Sequence, residues 1–115
     1  MPKIRVNIQF FSMLDGELTR QSFTAAGSAE WKQEPPLTVN QSVPAEGIAE
    51  LEERSTVDAT YWRNDGNVTF FVTVTQTHGQ VQAFATANKV GYTATAHVSG
   101  AAPNFVVAVN FKKQI

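Results

Sequence analysis

The side chains in this chain best suited to recognition are aromatic rings set out of phase with their strands. Tyr61 and Trp62 are adjacent within the extended run Thr56–Trp62, so they must point to opposite faces. Trp62 breaks the phase of Val57, Ala59 and Tyr61, which assigns it to the outside. Phe71 likewise breaks the phase of Val68, Phe70, Val72 and Val74, and Phe84 that of Val81, Ala83, Ala85 and Ala87. Trp31 lies in the polar stretch Ala29–Gln33, just before Pro35 and Pro36. Outward aromatics on neighbouring strands make a patch that can stack on sugar rings or dock another protein. Trp31, Trp62, Phe71 and Phe84 are therefore the binding candidates. The same spacing also fits strands covered on both faces, in which case the rings are core.

The ionisable residues offer less. His78 falls in an expected turn and His97 on the outward face of a strand beside Thr93 and Thr95, and neither sits in a nucleophile-elbow context. A glycosidase needs two carboxylates facing each other across a cleft. Glu30 with Glu34 and Glu50 with Asp58 are available, but ten acidic residues in 115 produce such pairs by chance. A calcium site from Glu50, Glu52, Glu53 and Asp58 would give a hard cation several oxygens, against the plainer reading of a solvated acidic turn. There is no cysteine, which excludes a disulfide framework, a thiolate zinc site and a cysteine nucleophile. No Gly-rich phosphate loop is present. No catalytic residue, cofactor or metal is assigned, and the chain is read as a non-enzyme. Thr69, Thr73 and Thr75 line one strand face, and Thr93 and Thr95 a nearby one. Such ladders occur on ice-binding faces and are also the ordinary solvent face of a sheet.

The elements that must position these residues are strands. Residues 67–111 carry four runs of nearly unbroken period-two alternation: Asn67–Thr75, Val81–Ala87, Tyr92–Val98 and Phe105–Phe111. Upstream, Lys3–Phe11 puts Ile4, Val6, Ile8 and Phe10 on one face and Arg5, Asn7 and Gln9 on the other. Leu18–Thr24, an extended piece at Ala29–Gln33, Leu37–Val43 and Thr56–Trp62 complete the set. Turns are expected at Ser12–Gly16, Pro44–Gly47, Asn64–Gly66, His78-Gly79, Val90-Gly91, Ser99-Gly100 and Pro103-Asn104. Residues 48–54 break the alternation. Ile48 and Leu51 are three apart among good helix formers, so one helical turn is predicted there, with an acidic loop crossing between sheets as the alternative.

Length, charge and composition bound the partners. At 115 residues one domain is expected over 1–115. Nine basic and ten acidic residues, scattered rather than clustered, argue against nucleic acid. The charged fraction of 17% is below the roughly 25% of an ordinary domain, so copies of this surface repel one another weakly. A self-associating surface, or simply a neutral one, follows. No run approaches the roughly 18 apolar residues of a membrane helix. The N-terminus starts directly as a strand pattern without a signal-peptide stretch, so a cytoplasmic address or leaderless export is expected.

Residues 83–111, including Gly91-Tyr-Thr-Ala-Thr-Ala96 and the final strand Phe105–Phe111, resemble the closing strands of bacterial immunoglobulin-like modules of invasin- and intimin-type adhesins. The resemblance covers a quarter of the chain, transfers no functional residue, and implies a sandwich fold with a non-catalytic role. The expectation is an all-β, antiparallel sandwich, immunoglobulin-like or jelly-roll, of about seven to nine strands. Its core is drawn from Ile4, Val6, Ile8, Val39, Tyr61, Phe70, Val72, Val74, Ala83, Ala85, Ala94, Ala96, Val107 and Val109. The small residues at 83–87 and 94–96 imply close approach of the sheets or large side chains opposite them. The apolar last strand should be paired, to Ile4–Phe10 or to another subunit. The expected function is an interaction module that self-associates or binds a protein. The alternative is a small carbohydrate-binding lectin using Trp31 and Trp62, and a hydrolase using Glu30 or Glu50 comes third.

Overall fold

The computed structural model describes residues 3–14, 16–41, 45–63 and 68–113, which build two stacked five-stranded sheets. The strands are β1 (Ile4–Ser12), β2 (Leu18–Ala26), β3 (Glu30–Gln33), β4 (Thr38–Val39), β5 (Ala45–Leu51), β6 (Ser55–Arg63), β7 (Val68–Thr77), β8 (Gln80–Ala87), β9 (Tyr92–Ala101) and β10 (Asn104–Lys113). Sheet A has the order β3-β5-β1-β10-β9 and sheet B the order β4-β2-β6-β7-β8. Alternation drives the layering, because β1, β6 and β7 bury every second side chain between the sheets. In β1 these are Ile4, Val6, Ile8 and Phe10, in β7 Val68, Phe70, Val72 and Val74, and in β10 Val107, Val109 and Phe111. The last strand is paired as expected, lying parallel to β1 with Val6 beside Phe105 and Phe10 beside Val109. This parallel pair makes sheet A mixed rather than purely antiparallel. No helix occurs among the described residues, and so none is long and apolar enough to cross a membrane.

The structure corrects the reading of residues 45–54. Instead of a helical turn, Ala45–Leu51 form β5, antiparallel to β1 with Val6 opposite Ala49 and Ile4 opposite Leu51. Gly47, Ala49 and Leu51 face the core, while Glu46, Ile48 and Glu50 face outward. An outward isoleucine and an inward glycine disguised the period of two, and tertiary pairing overrode the helix propensity of Ala and Glu. The turn expected at Pro44–Gly47 is likewise replaced by strand from Ala45 onward. Of the described residues in the alternating stretch Leu37–Val43, only Thr38 and Val39 are strand, and the Asn64–Gly66 hairpin turn lies outside the described residues. Ser99 and Gly100 belong to β9, and its hairpin to β10 closes at Ala102-Pro103. The β7–β8 turn is as expected: His78 (φ 53°) and Gly79 (φ 77°) are both left-handed, the type I′ signature of a two-residue hairpin loop.

Four aromatic rings join the two layers. Phe111 of sheet A lies 4.7 Å from Phe70 and 6.0 Å from Tyr61 of sheet B, centroid to centroid, and Phe10 lies 5.2 Å from Tyr61. Small residues sit beside large ones: Phe70 pairs with Ala87 and Phe111 with Ala94. That match lets β8 and β9, which belong to different sheets, pack against each other along one margin of the sandwich. The predicted alanines 83, 85, 94 and 96 lie there, half-buried rather than fully buried. Leu14, Leu18, Leu51, Val57 and Phe111 are buried core residues the initial set lacked. The one buried amide side chain among the described residues, Gln76, bridges the layers by donating to the Leu51 carbonyl at 2.8 Å and accepting from the Gly79 N–H at 3.1 Å. Tyr61 donates its hydroxyl to the Pro36 carbonyl.

Phe111→Ala should cost about 3–5 kcal/mol, measured by chemical denaturation, because the cavity opens where three rings converge. Burial pushes the Tyr61 phenol well above its usual range, with Arg20 opposing weakly. The unfolded chain ionises this phenol near pH 10 while the folded chain keeps it neutral, so its contribution is intact below about pH 10 and lost as pH rises further. Stability should therefore fall on the alkaline side of about pH 10. Tyr61→Phe should flatten that limb while lowering stability at neutral pH by about 1–2 kcal/mol through the unpaired Pro36 carbonyl.

Candidate functional site

The outer face of sheet B carries three of the four aromatic candidates, and register places them on a diagonal. Directly paired residues share a face, so the pairings of β2, β6, β7 and β8 can be read as rows across it. One row is Ala26, Thr56, Thr75 and Gln82; the next is Thr24, Asp58, Thr73 and Phe84. Then come Ser22, Thr60, Phe71 and Thr86, and finally Thr19, Trp62 and Thr69. Trp62, Phe71 and Phe84 thus step one row per strand across β6, β7 and β8, each flanked by threonines. Phe84 is 60% exposed and Phe71 44%, whereas Trp62 is half-buried. The rings are outward, and among the described residues no second layer covers them.

Asp58 is the one charged residue that these rows place on the face. Thr24 donates its hydroxyl to Asp58 Oδ2 at 3.1 Å and Thr73 donates to Oδ1 at 2.6 Å. Each oxygen keeps acceptor capacity beyond its threonine. In the neighbouring row the Thr56 and Thr75 hydroxyls share a hydrogen bond at 3.1 Å. The face therefore combines rings, hydroxyls that both donate and accept, and a single oriented carboxylate. Sequence reasoning missed Asp58, Thr24, Thr60 and Thr86 as members. The alternation Thr56, Asp58, Thr60, Trp62 was the available signal for two of them; Thr24 depends on a bulge between Arg20 and Ser22 that only pairing reveals.

Trp31 does not join this patch. It stands on β3, opposite the core-facing Ala49, and packs edge-to-face on Phe23 at 6.5 Å. Its indole N–H donates to the Thr24 carbonyl at 3.0 Å. Arg20 lies 4.3 Å over the Phe23 ring and donates to the Pro35 carbonyl at 2.7 Å. Gly47 leaves room for the indole: a Cβ there would meet Trp31 at 3.1 Å and Pro35 at 3.0 Å. Trp31 closes the β2–β3 margin of the sandwich.

The remaining candidates are dispersed. Thr93 and Thr95 lie on the outer face of sheet A, away from Thr69, Thr73 and Thr75 on sheet B. Glu30 and Glu50 are cross-strand partners sharing Lys32 at 3.4 and 3.8 Å, and Glu34 pairs with Arg20 at 3.5 Å. Glu50 and Asp58 belong to different sheets, which separates both the proposed carboxylate pair and the calcium set. Among the described residues no group of three or more His, Asp or Glu could hold a metal ion. His78 Nδ1 meets Glu53 Oε1 at 2.9 Å beside a cleft of about 250 Å³ lined by Lys3, Ile4, Gln76 and Pro103. That cleft presents no nucleophile beside a base. His97 is exposed on β9. No family model matches the chain, and no curated protein matches it.

Because Phe71 and Phe84 are exposed while Trp31 is packed, their substitutions should separate cleanly. Phe71→Ser and Phe84→Ser should each leave stability within about 0.5 kcal/mol in urea denaturation. Trp31→Ala should cost several times more, about 2–4 kcal/mol, by uncovering Phe23 and opening the margin.

Proposed function

We propose that this chain is a non-enzymatic interaction module whose docking surface is the outer face of sheet B. The observation that carries the reading is the outward diagonal Trp62, Phe71 and Phe84, its two phenylalanines exposed, set among threonines with Asp58 as the one charge in those rows. Large rings on rigid strands supply contact area at little entropic cost, and a neutral surround opposes neither another protein nor a second copy. The resemblance of residues 83–111 to adhesin-type immunoglobulin-like modules supports a binding role of this kind. A second reading, a small lectin, is favoured by one feature. The Asp58 carboxylate, oriented by Thr24 and Thr73, lies in the same row as Phe84, and a ring beside mixed donors and acceptors suits a neutral sugar.

Trp31→Phe leaves Trp62 as the only tryptophan, since the chain has two. Its emission then reports the face directly. Titration with more of the same chain and with a panel of neutral oligosaccharides should quench or blue-shift Trp62, and Phe71→Ser/Phe84→Ser should abolish the change. A response to protein alone identifies a protein-docking module, and a response to one glycan class identifies the lectin. An emission spectrum unmoved by either would remove this face as the docking surface.

A further inference from the structure

The sandwich has four edge strands, and they are not protected alike. An edge strand presents unpaired N–H and C=O groups, and proteins blunt such edges with short strands, charge, proline or bulges. On one margin all these devices are present. β4 has two residues, and β3 has four, with Glu30 and Lys32 on it, a register break against β5 between Trp31 and Gln33, and Glu34, Pro35 and Pro36 immediately after. Within the two strands of the other margin none is. β8 runs eight residues and β9 ten, and the two contain no Asp, Glu, Lys, Arg or Pro. Among the described residues no strand pairs with the outer side of either. A chain that blunts one margin so thoroughly and leaves the opposite one bare has a use for the bare one.

We propose that two copies of this chain form a closed dimer by antiparallel pairing of β9 with β9 of the second copy, continuing sheet A across the interface. The occupant follows from the composition of β9. Its outward positions are Thr93, Thr95, His97 and Ser99, and its inward ones Ala94, Ala96 and Val98, all inward ones only half-buried. Paired with itself in antiparallel sense, the strand sets uncharged polar residues opposite uncharged polar residues and apolar opposite apolar, a favourable cross-strand arrangement. The absence of charge removes repulsion between identical strands, which would otherwise oppose self-pairing. A two-fold axis makes the contact use the same patch on both copies, so assembly stops at two. β9 is the longer of the two bare edges, and pairing would cover the apolar side of Ala94, Ala96 and Val98.

The layering also restricts the register. A slip of one residue would exchange the faces, placing the outer surface of one sheet A beside the core surface of the other. Only registers in which one residue of β9 faces its own copy across the axis avoid this. That residue can be found by chemistry, because the native chain contains no cysteine. Single cysteines scanned from Thr93 to Ser99 should give an oxidised dimer that peaks sharply at one position. Two residues away the equivalent Cβ atoms separate by about 13 Å, at roughly 3.3 Å of rise per residue, beyond disulfide reach.

The experiment combines that scan with light scattering across a concentration series on the full chain. The expected result is a monomer–dimer equilibrium that Thr95→Lys/His97→Lys weakens at least about tenfold through like charges facing across the strands. Ser28→Lys, in the turn on the blunted margin, should leave it unchanged, and unaltered denaturation curves for both variants show that the fold is kept. Phe71→Ser/Phe84→Ser should also leave the dimer intact, so failure of the sheet B face and failure of this edge are read separately. A monomer at every concentration would overturn the proposal, as would a cysteine profile without a maximum. So would a mass that grows past the dimer with β8 crosslinked to β9, which would mean open polymerisation instead.

Discussion

The contact of Phe111 with Phe70, Tyr61 and Phe10 is the interaction on which the rest of this fold depends. Phe111 and Phe10 come from the parallel pair at the heart of sheet A, and Phe70 and Tyr61 from the two central strands of sheet B. Rings of this size hold the layers apart in the middle, so the strands beside them must carry small residues if the sheets are to meet at the margin. Ala87 beside Phe70 and Ala94 beside Phe111 meet that demand, and the two alanine-rich strands follow from it. Interior packing thus dictates the character of the β8–β9 margin, which is smooth, apolar on its inner side and free of charge.

The opposite margin solves the same closure problem differently. There the sheets are spanned by Trp31 on Phe23, with Arg20 over the ring and Gly47 making space beneath the indole. Charges gather around this plug, with Lys32 between Glu30 and Glu50 and Arg20 beside Glu34. Exposed pairs of this kind add little stability. What they do is prevent strand addition, since an approaching strand would have to desolvate them. The result is a molecule with one charged, closed side and one neutral, open side, joined by a face of threonines and aromatic rings on sheet B. The docking role proposed for that face and the pairing proposed for β9 both draw on this uneven distribution of few charges.

Where side chains alternate without interruption, the strands were legible from residues alone: β1, β6, β7, β8, β9 and β10 lie within a few residues of their expected positions. The outward placement of Trp62, Phe71 and Phe84 was legible for the same reason, because a break in phase is a local property. β5 was not, since Gly47 occupies a core-facing position that only the close approach of Trp31 and Pro35 explains, and Ile48 faces outward. Trp31 was misplaced by its polar neighbours. Its burial comes from Phe23, eight positions earlier in the chain and in the other sheet, to which no local pattern points.

The sequence by itself determined the class of the protein, the face on which most side chains lie and the absence of thiol chemistry, because period and composition are carried by each strand alone. Tertiary structure decided which strands are neighbours. Pairing set Trp62, Phe71 and Phe84 on one diagonal, brought Thr24 and Thr73 to Asp58, sent Thr93 and Thr95 to the other sheet and left β8 and β9 as edges. The reason is that strand order and register are properties of pairs separated by tens of residues. They are chosen by how large and small side chains fit between the layers, a fit that no single segment contains.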